Sequence, residues 1–337
     1  MKYSSRLFLW APFVLLLALA VGVSARWYQV ANALSAKLDT MNGREVIPGV
    51  SLHFASKTVG GFPFRVDAVF KNLELGMIGP HGLITWRAED FAAHALTYGR
   101  EKWIFEAAGK QRLSWTTRNG EPKGLPFESG SLHASAVFRE AKLDRFDLDL
   151  VGFDSAALNA ARIQFHARHN PKADRIDVVA DVEEIHLSPP LRGLCGEVVD
   201  HVKLDGDFSN AAAFAKAITG DAKWQSGFDA WRSQGGRFFL GQSEIACGRS
   251  SAFVQGQLGL DAQKRPRGLL TAQLVGLGAL GESAEHGPPL GTFAKALLDQ
   301  PRDPNPAQEG RVTVRAAFRD GISYLGNTPA GTNDPQY

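Results

Sequence analysis

Three groups of residues in this chain have types and spacings that suggest chemistry, and each also has a plainer reading. Gly276-Leu277-Gly278-Ala279-Leu280-Gly281 satisfies G-x-G-x-x-G after an apolar stretch, Leu269 to Val275. That pattern holds a dinucleotide only when its last glycine opens a helix whose amides meet a pyrophosphate inside a βαβ unit. Here Glu282, Glu285, Gly287, Pro288 and Pro289 follow instead, so the expectation is a glycine-rich exit from a strand and no nucleotide. His166-Ala167-Arg168-His169 sets two imidazoles three residues apart, and on a strand such positions face opposite ways. Without a thiol or carboxylate at zinc spacing, they read as solvated strand histidines, and no metal or other cofactor is expected. Cys195 and Cys247 are the only cysteines. In an oxidising compartment they are expected to form one disulfide, closing a loop of about 50 residues for roughly 4 kcal/mol. The alternative is two buried thiols acting as small apolar residues. Neither C-x-x-C nor a cation cluster marks a redox-active thiol, and neither H-E-x-x-H nor G-x-S-x-G occurs. The expectation is a chain with no catalytic residues, with an envelope hydrolase whose residues assemble from distant positions as the remote alternative.

Location is better marked than chemistry. Leu7 to Ala25 is an uncharged, mostly apolar run closed by Arg6 and Arg26; as a helix it measures about 28 Å, near the thickness of a bilayer's hydrocarbon. Trp10 on one flank, with Trp27 and Tyr28 on the other, stands where interfacial aromatics are expected. The chain therefore divides into a cytoplasmic basic head (1–6), a transmembrane signal-anchor helix (7–26), a helical stalk (27–45), a β-rich domain (46–325) and a disordered tail (326–337). Val23-Ser24-Ala25 also fits a signal peptidase site, so a cleaved signal peptide stays open as the alternative. Flanking charge is balanced across the run, Lys2 and Arg6 against Arg26, Lys37 and Arg44, so orientation rests on the usual export arrangement of a short basic head, one apolar run and a long domain.

The charge balance, 37 basic against 35 acidic residues with no basic block, argues against nucleic-acid binding. The high glycine and phenylalanine content, 35 and 21 residues, suits a sheet with frequent turns. Strict alternation recurs, the signature of antiparallel strands with one dry face: Phe62, Phe64, Val66, Ala68 and Phe70; Leu132, Ala134, Ala136 and Phe138; Phe146, Leu148 and Leu150; Ile176, Val178, Ala180 and Val182; Ala252, Val254, Leu258 and Leu260; Val312, Val314, Ala316 and Phe318. Polar reversals at Arg118–Pro122, Asn170–Asp174 and Asp261–Gly268 join these runs as hairpins. Three stretches break the pattern and read as short helices: Asn210–Thr219, Lys223–Arg232 with Trp224, Phe228 and Trp231 at helical spacing, and Gly291–Gln300. The first two form a helical insertion near 210–233 that covers one end or edge. The expected fold is mainly β, a long antiparallel, curved meander with a groove-like or sandwich-like form, as one sheet or two sub-sheets.

Gly60-Gly61-Phe62-Pro63-Phe64-Arg65 opening a first alternating strand, and the late hairpin from Gly256-Gln257-Leu258-Gly259-Leu260-Asp261 to Arg265-Pro266-Arg267-Gly268-Leu269, together with the N-terminal anchor, resemble an uncharacterised family of bacterial envelope proteins, the domain of unknown function numbered twenty-one twenty-five, which is distantly similar to the AsmA-like group. The resemblance covers most of the chain after Trp27. It implies a single-pass inner-membrane protein with a periplasmic domain, and, from AsmA-like relatives, a sheet groove associated with phospholipid movement and envelope maintenance. It carries no catalytic residues. A sheet with one dry face must cover it with a sheet, helices, a ligand or a partner. The expected groove lining is Phe62, Phe64, Val66, Phe70, Phe138, Phe146, Leu148, Ile176 and Val178. The reading of a lipid-handling groove competes with an assembly scaffold that docks another envelope protein by strand addition.

Overall fold

A single helix, α1, runs from Ser4 to Met41 in the computed structural model of the chain, which describes residues 4–79, 81–140, 142–189, 195–276 and 311–337, without the side chains of residues 4–8 and Arg100. The apolar run and the stalk are one uninterrupted helix. It stops where Gly43 takes a left-handed conformation, φ 73°, a conformation glycine adopts without steric penalty. Asn42 secures the stop, its side chain donating to the Phe54 carbonyl and accepting from the Phe54 amide. The stalk thus ends at Met41 rather than at 45, and the sheet begins at Arg44.

The rest is mainly β and antiparallel. Strands β1 (Arg44–Ile47) and β2 (Val50–His53) form a hairpin. β2 lies on the second half of β4 (Arg65–Gly79), while β3 (Ser56–Gly60) takes the first half of the same edge. From β4 the chain meanders through β5 (Gly82–Leu96), β6 (Gly99–Thr116), β7 (Pro122–Arg139), β8 (Lys142–Ser155), β9 (Leu158–Asn170), β10 (Arg175–Leu187) and β11 (Val198–Ser209). It continues through β12 (Phe238–Cys247), β13 (Ser250–Leu260), β14 (Pro266–Val275), β15 (Arg311–Arg319), β16 (Ile322–Leu325) and β17 (Thr328–Thr332). All seventeen described strands belong to one sheet. Between β11 and β12 stand a 3-10 turn (Ala211–Phe214) and two helices, α2 (Ala215–Ile218) and α3 (Trp224–Ser233). The expected helix at Gly291–Gln300 lies outside the described residues.

Long strands change parity once while keeping one face apolar. In β4 the inward positions are Val66, Ala68 and Phe70, then Leu73; Asn72, with φ 50°, is skipped in the pairing with β5. Matching irregularities fall at Glu89 opposite Gly109 and Lys110, at Gly152 opposite Ala161 and at Glu184 opposite Ala161 and Asp200. A row of skipped pairings therefore crosses the sheet from β4 to β11, with true bulges, which bend strands and sharpen local twist, where the register shifts between β5 and β6 and between β6 and β7.

The core begins where the stalk lies on the sheet. Trp27, Ala31, Leu34 and Leu38, spaced for one helical face, pack against Val66, Ala68, Phe70, Leu52 and Phe54. Four residues expected on one strand face are split by this arrangement. Val66 and Phe70 are 2% and 3% exposed beneath α1, whereas Phe62 and Phe64 are 54% and 62% exposed, because β4 starts only at Arg65 and residues 61–64 form a turn. Trp27, expected as an interfacial flank, is also a core residue: its ring fills the helix–sheet gap and its Nε1 donates to the Arg65 carbonyl at 2.8 Å.

The expected disordered tail, 326–337, is ordered by its partners. Thr328–Thr332 is β17, paired with β16, Arg118 meets Asp334 at 2.7 Å, and the Tyr337 ring lies 6.0 Å from Trp224 and 5.7 Å from Phe228. The Tyr337 hydroxyl donates to Asp229 at 3.0 Å. Burial, with that carboxylate beside it, pushes the phenol up to about 12. Low local hydrophobicity concealed contacts made by a few terminal side chains.

Candidate functional site: an apolar trough

Strand register makes the apolar face continuous. Phe70 stands opposite Phe91, then Ala107, Leu132, Leu150, Ile163, Val182, Val202, Ile245, Ala252, Leu274 and Val312 in successive neighbours. At the usual strand spacing this row runs about 50 Å along the sheet. A parallel row runs from Ala95 through Trp103, Ala136, Phe146, Ala167 and Val178 to Gly206.

Helices cover this face in two places. The stalk of α1 covers its first strands. The insertion covers the middle: Phe214, Phe228 and Trp231 surround Phe208 with ring centroids 5.8 to 6.3 Å away, and Trp231 Nε1 donates to the Ser209 carbonyl. The insertion also reaches the start of the sheet. Gln225 Nε2 donates to the Ile78 carbonyl at 3.0 Å, and the Gly220 and Gly49 backbones lie against Ile47 and Lys223.

Space remains beneath and beside these covers. A cavity of about 590 Å³ lies under the insertion, walled by Ile47, Phe138, Leu143, Ile176, Val178, Phe208, Phe214, Ile218, Trp224 and Phe228. A second, about 340 Å³, lies further along between Ile245, Val254, Leu270, Leu274, Val314, Phe318 and Leu325. Cys195 and Cys247, joined by a disulfide, form part of its wall. Both volumes fall in the range of small-molecule sites, and their walls are almost entirely carbon.

Of the nine residues expected to line a groove, Phe138, Ile176 and Val178 wall the larger cavity. Phe146 and Leu148 lie half-buried on the same face, Phe146 with its ring 6.3 Å from Phe165. Val66 and Phe70 are closed core, and Phe62 and Phe64 lie outside the trough. The sequence reading missed Phe208, Phe214 and Ile47. Phe208 continues the alternation of Val202 and Leu204, broken by Gly206, and that interruption hid it. Among the anchor flanks, Trp10 is 64% exposed and Arg26 donates to Gln29; Arg6 lies in α1 with its side chain outside the described residues.

The opposite face is polar and internally paired. Asp147 accepts from Ser135 at 3.1 Å and from Arg145, and lies 2.8 Å from His166 Nδ1. Burial raises that carboxyl, but the hydrogen bonds from His166, Arg145 and Ser135 outweigh it and hold the group below its usual range. The Arg162 guanidinium forks onto Asp149 at 2.7 and 2.9 Å and lowers it in the same way. Similar pairs join His94 to Asp67 and His201 to Asp181. Ser135 donates to the carboxylate and not to an imidazole, so this trio lacks the serine-to-base bond of a hydrolytic triad. His166 stands opposite Asp147 and His169 opposite Ile176, on different faces, and no metal-binding group of three or more His, Cys, Asp or Glu occurs among the described residues. Gly276 closes β14 with φ 75°; the rest of the glycine-rich run lies outside the described residues.

These features define a class: an antiparallel β-meander protein with one continuous apolar face, partly roofed by helices, behind an N-terminal helix that is long and apolar enough to cross a membrane and is also compatible with a signal sequence. The family described as an uncharacterised protein conserved in bacteria, DUF2125, matches residues 27–333, and the chain belongs to it. No curated protein matches the chain.

Proposed function

We propose that this protein is a single-pass bacterial inner-membrane protein whose periplasmic sheet shelters the acyl chains of a phospholipid-like amphiphile, in the manner of an AsmA-like groove, and that it is not an enzyme. The observation that carries this reading is the continuous apolar face, whose row from Phe70 to Val312 meets the smaller carbon-walled cavity at Ile245, Ala252 and Leu274 and whose parallel row meets the larger one at Val178. A dry face of this length, roofed only in part, is what an amphiphile's hydrocarbon requires, because apolar area leaves water at about 25 cal/mol per Å². The span of α1 and a disulfide, a bond that persists in oxidising compartments, support the location.

The test places a photocrosslinking amino acid at Phe138 or Ile176, in cells fed labelled phospholipid precursors, with Lys142 on the surface as control. Lipid adducts at the cavity positions and not at the control support the reading. Adducts at neither, in a protein that remains folded, would leave the trough as ordinary core.

A second reading, an assembly scaffold that docks an envelope protein by strand addition, draws on β17. That strand pairs with β16 alone among the described residues, and its outer edge is a template for another chain. Crosslinks from Thr328 to one dominant protein partner would favour it.

A further inference from the structure

The exposed apolar side chains nearest the anchor are not scattered. Tyr28, Phe62, Phe64, Leu96 and Tyr98 are 59%, 54%, 62%, 43% and 77% exposed, and three of them come from two sheet turns held together. Thr97 donates both its amide and its hydroxyl to the Phe64 carbonyl, at 3.0 and 2.9 Å. The Phe62 ring lies 5.4 Å from Trp27 and 6.4 Å from Tyr28. The turn is fixed by Gly61, whose φ of 94° and 2.8 Å approach to the Arg65 carbonyl leave no place for a Cβ.

The position of this cluster along α1 is set by covalent geometry. The apolar run ends at Ala25, and Trp27 is already bonded to Arg65, the first residue of β4. Two residues of helix rise only about 3 Å, so no linker separates the sheet from the end of the run. The run itself is bare, with Leu15 73% and Val21 61% exposed, and its one hydroxyl near the end, Ser24, is satisfied by the Ala20 carbonyl. If α1 spans a bilayer, the two turns must lie at the level where its hydrocarbon gives way to headgroups.

We infer that Tyr28, Phe62, Phe64, Leu96 and Tyr98 form a second membrane contact, a tip seated in the interfacial layer of the bilayer that α1 crosses. The occupant of this patch is lipid because the patch continues the apolar surface of the helix, and because rings with one polar end belong at that depth. Arg26 and Arg65 flank it at headgroup level. Two contacts, a helix and a tip joined through Trp27, fix the tilt of the sheet against the membrane, where a lone span with a flexible linker would let it swivel.

This inference rests on the anchoring reading, and one experiment separates their failures. Cysteine variants of the full chain, Phe64→Cys, Tyr98→Cys, Leu16→Cys and Val151→Cys, are labelled with a fluorophore, the native cysteines being protected in their disulfide. They are placed in phosphatidylethanolamine–phosphatidylglycerol vesicles carrying shallow or deep doxyl-lipid quenchers. The expected result is several-fold stronger quenching at positions 64 and 98 than at 151, greatest with the shallow quencher, and deep quenching at 16. Quenching at 64 and 98 equal to that at 151, with 16 still quenched, overturns the tip and leaves the anchor. Loss or lack of quenching of the label at 16 overturns the anchor and the tip together. All four substitutions are at exposed positions, and circular dichroism checks that each variant keeps its sheet.

Discussion

Phe70→Ala and Phe64→Ala should differ by several kcal/mol, although the two residues share a sequence pattern. Phe70 is 3% exposed, its ring 5.1 Å from Phe54 and 6.0 Å from Phe91, with Leu38 of the stalk in the same cluster. Truncation removes a fully buried ring whose neighbours are held by two strands and a helix and cannot collapse, so about 3–5 kcal/mol is expected. The two aromatic contacts account for about 0.5–1.5 kcal/mol each. Phe64, 62% exposed on its turn, should cost within about 0.5 kcal/mol. Urea unfolding of the detergent-solubilised chain, followed by far-UV circular dichroism, measures both, and the midpoint for Phe70→Ala should fall well below that for Phe64→Ala. Equal losses would mean that the stalk does not close over β4, and would return all four residues, Phe62, Phe64, Val66 and Phe70, to one open surface.

Glycine positions separate backbone conformation from crowding. Gly109 has φ 75° with nothing near its absent Cβ, so Gly109→Ala should cost about 1–2 kcal/mol from conformation alone; Gly256→Ala would place a Cβ 2.2 Å from the Leu269 carbonyl and should prevent β13 and β14 from pairing, read as loss of soluble folded protein. Replacing both cysteines by serine should lower stability by about 2–4 kcal/mol and make the unfolding midpoint insensitive to reductant, the native chain falling to the same value when reduced. Asp149 is depressed by Arg162, so its contribution is present above the unfolded value near 3.9 and lost as pH falls through the lower folded value. The gap between native and Asp149→Asn stability should therefore be constant from neutral pH to about 4 and close below it; a gap that persists in strong acid would refute the ion pair as its cause.

Much of the architecture was legible because period-2 alternation survives in β7, β8, β10, β13 and β15 wherever one face is dry. The disulfide was legible as a pair of cysteines without a metal or redox context. Boundaries were not, for local reasons. Phe62 and Phe64 continue the alternation of β4 by coincidence of spacing, while Gly61 and Pro63 place them in a turn. Trp27 was assigned by its distance from an apolar run, but an indole N–H with a carbonyl in reach is as well placed in a core as at an interface. The row of skipped pairings was hidden because Asn72, Glu89 and Glu184 are ordinary polar residues whose left-handed or unpaired conformation depends on the neighbouring strand.

The two helical covers differ in what they leave free, and that difference bears on the proposed function. The stalk of α1 is packed by fully buried residues, Val66, Ala68, Phe70 and Leu73, so its end of the apolar face is filled. The insertion closes its region by the rings of Phe214, Phe228 and Trp231 on one side and is tied at Asp229 to Lys264 and Tyr337, whereas among the described residues it meets the start of the sheet through one side-chain bond, Gln225 to Ile78, and through close approaches of Gly220 to Ile47 and of Gly49 to Lys223. Space under it is therefore bounded by a cover held firmly at β11, held again through Asp229 at Lys264 and Tyr337, and held lightly at β4. Local opening free energy follows the contacts broken, and a latch of one hydrogen bond contributes only about 0.5–1.5 kcal/mol. Under the proposed function, the larger cavity is expected to admit a ligand by movement of the insertion at Ile78 before any change at the stalk end, because the stalk end is filled.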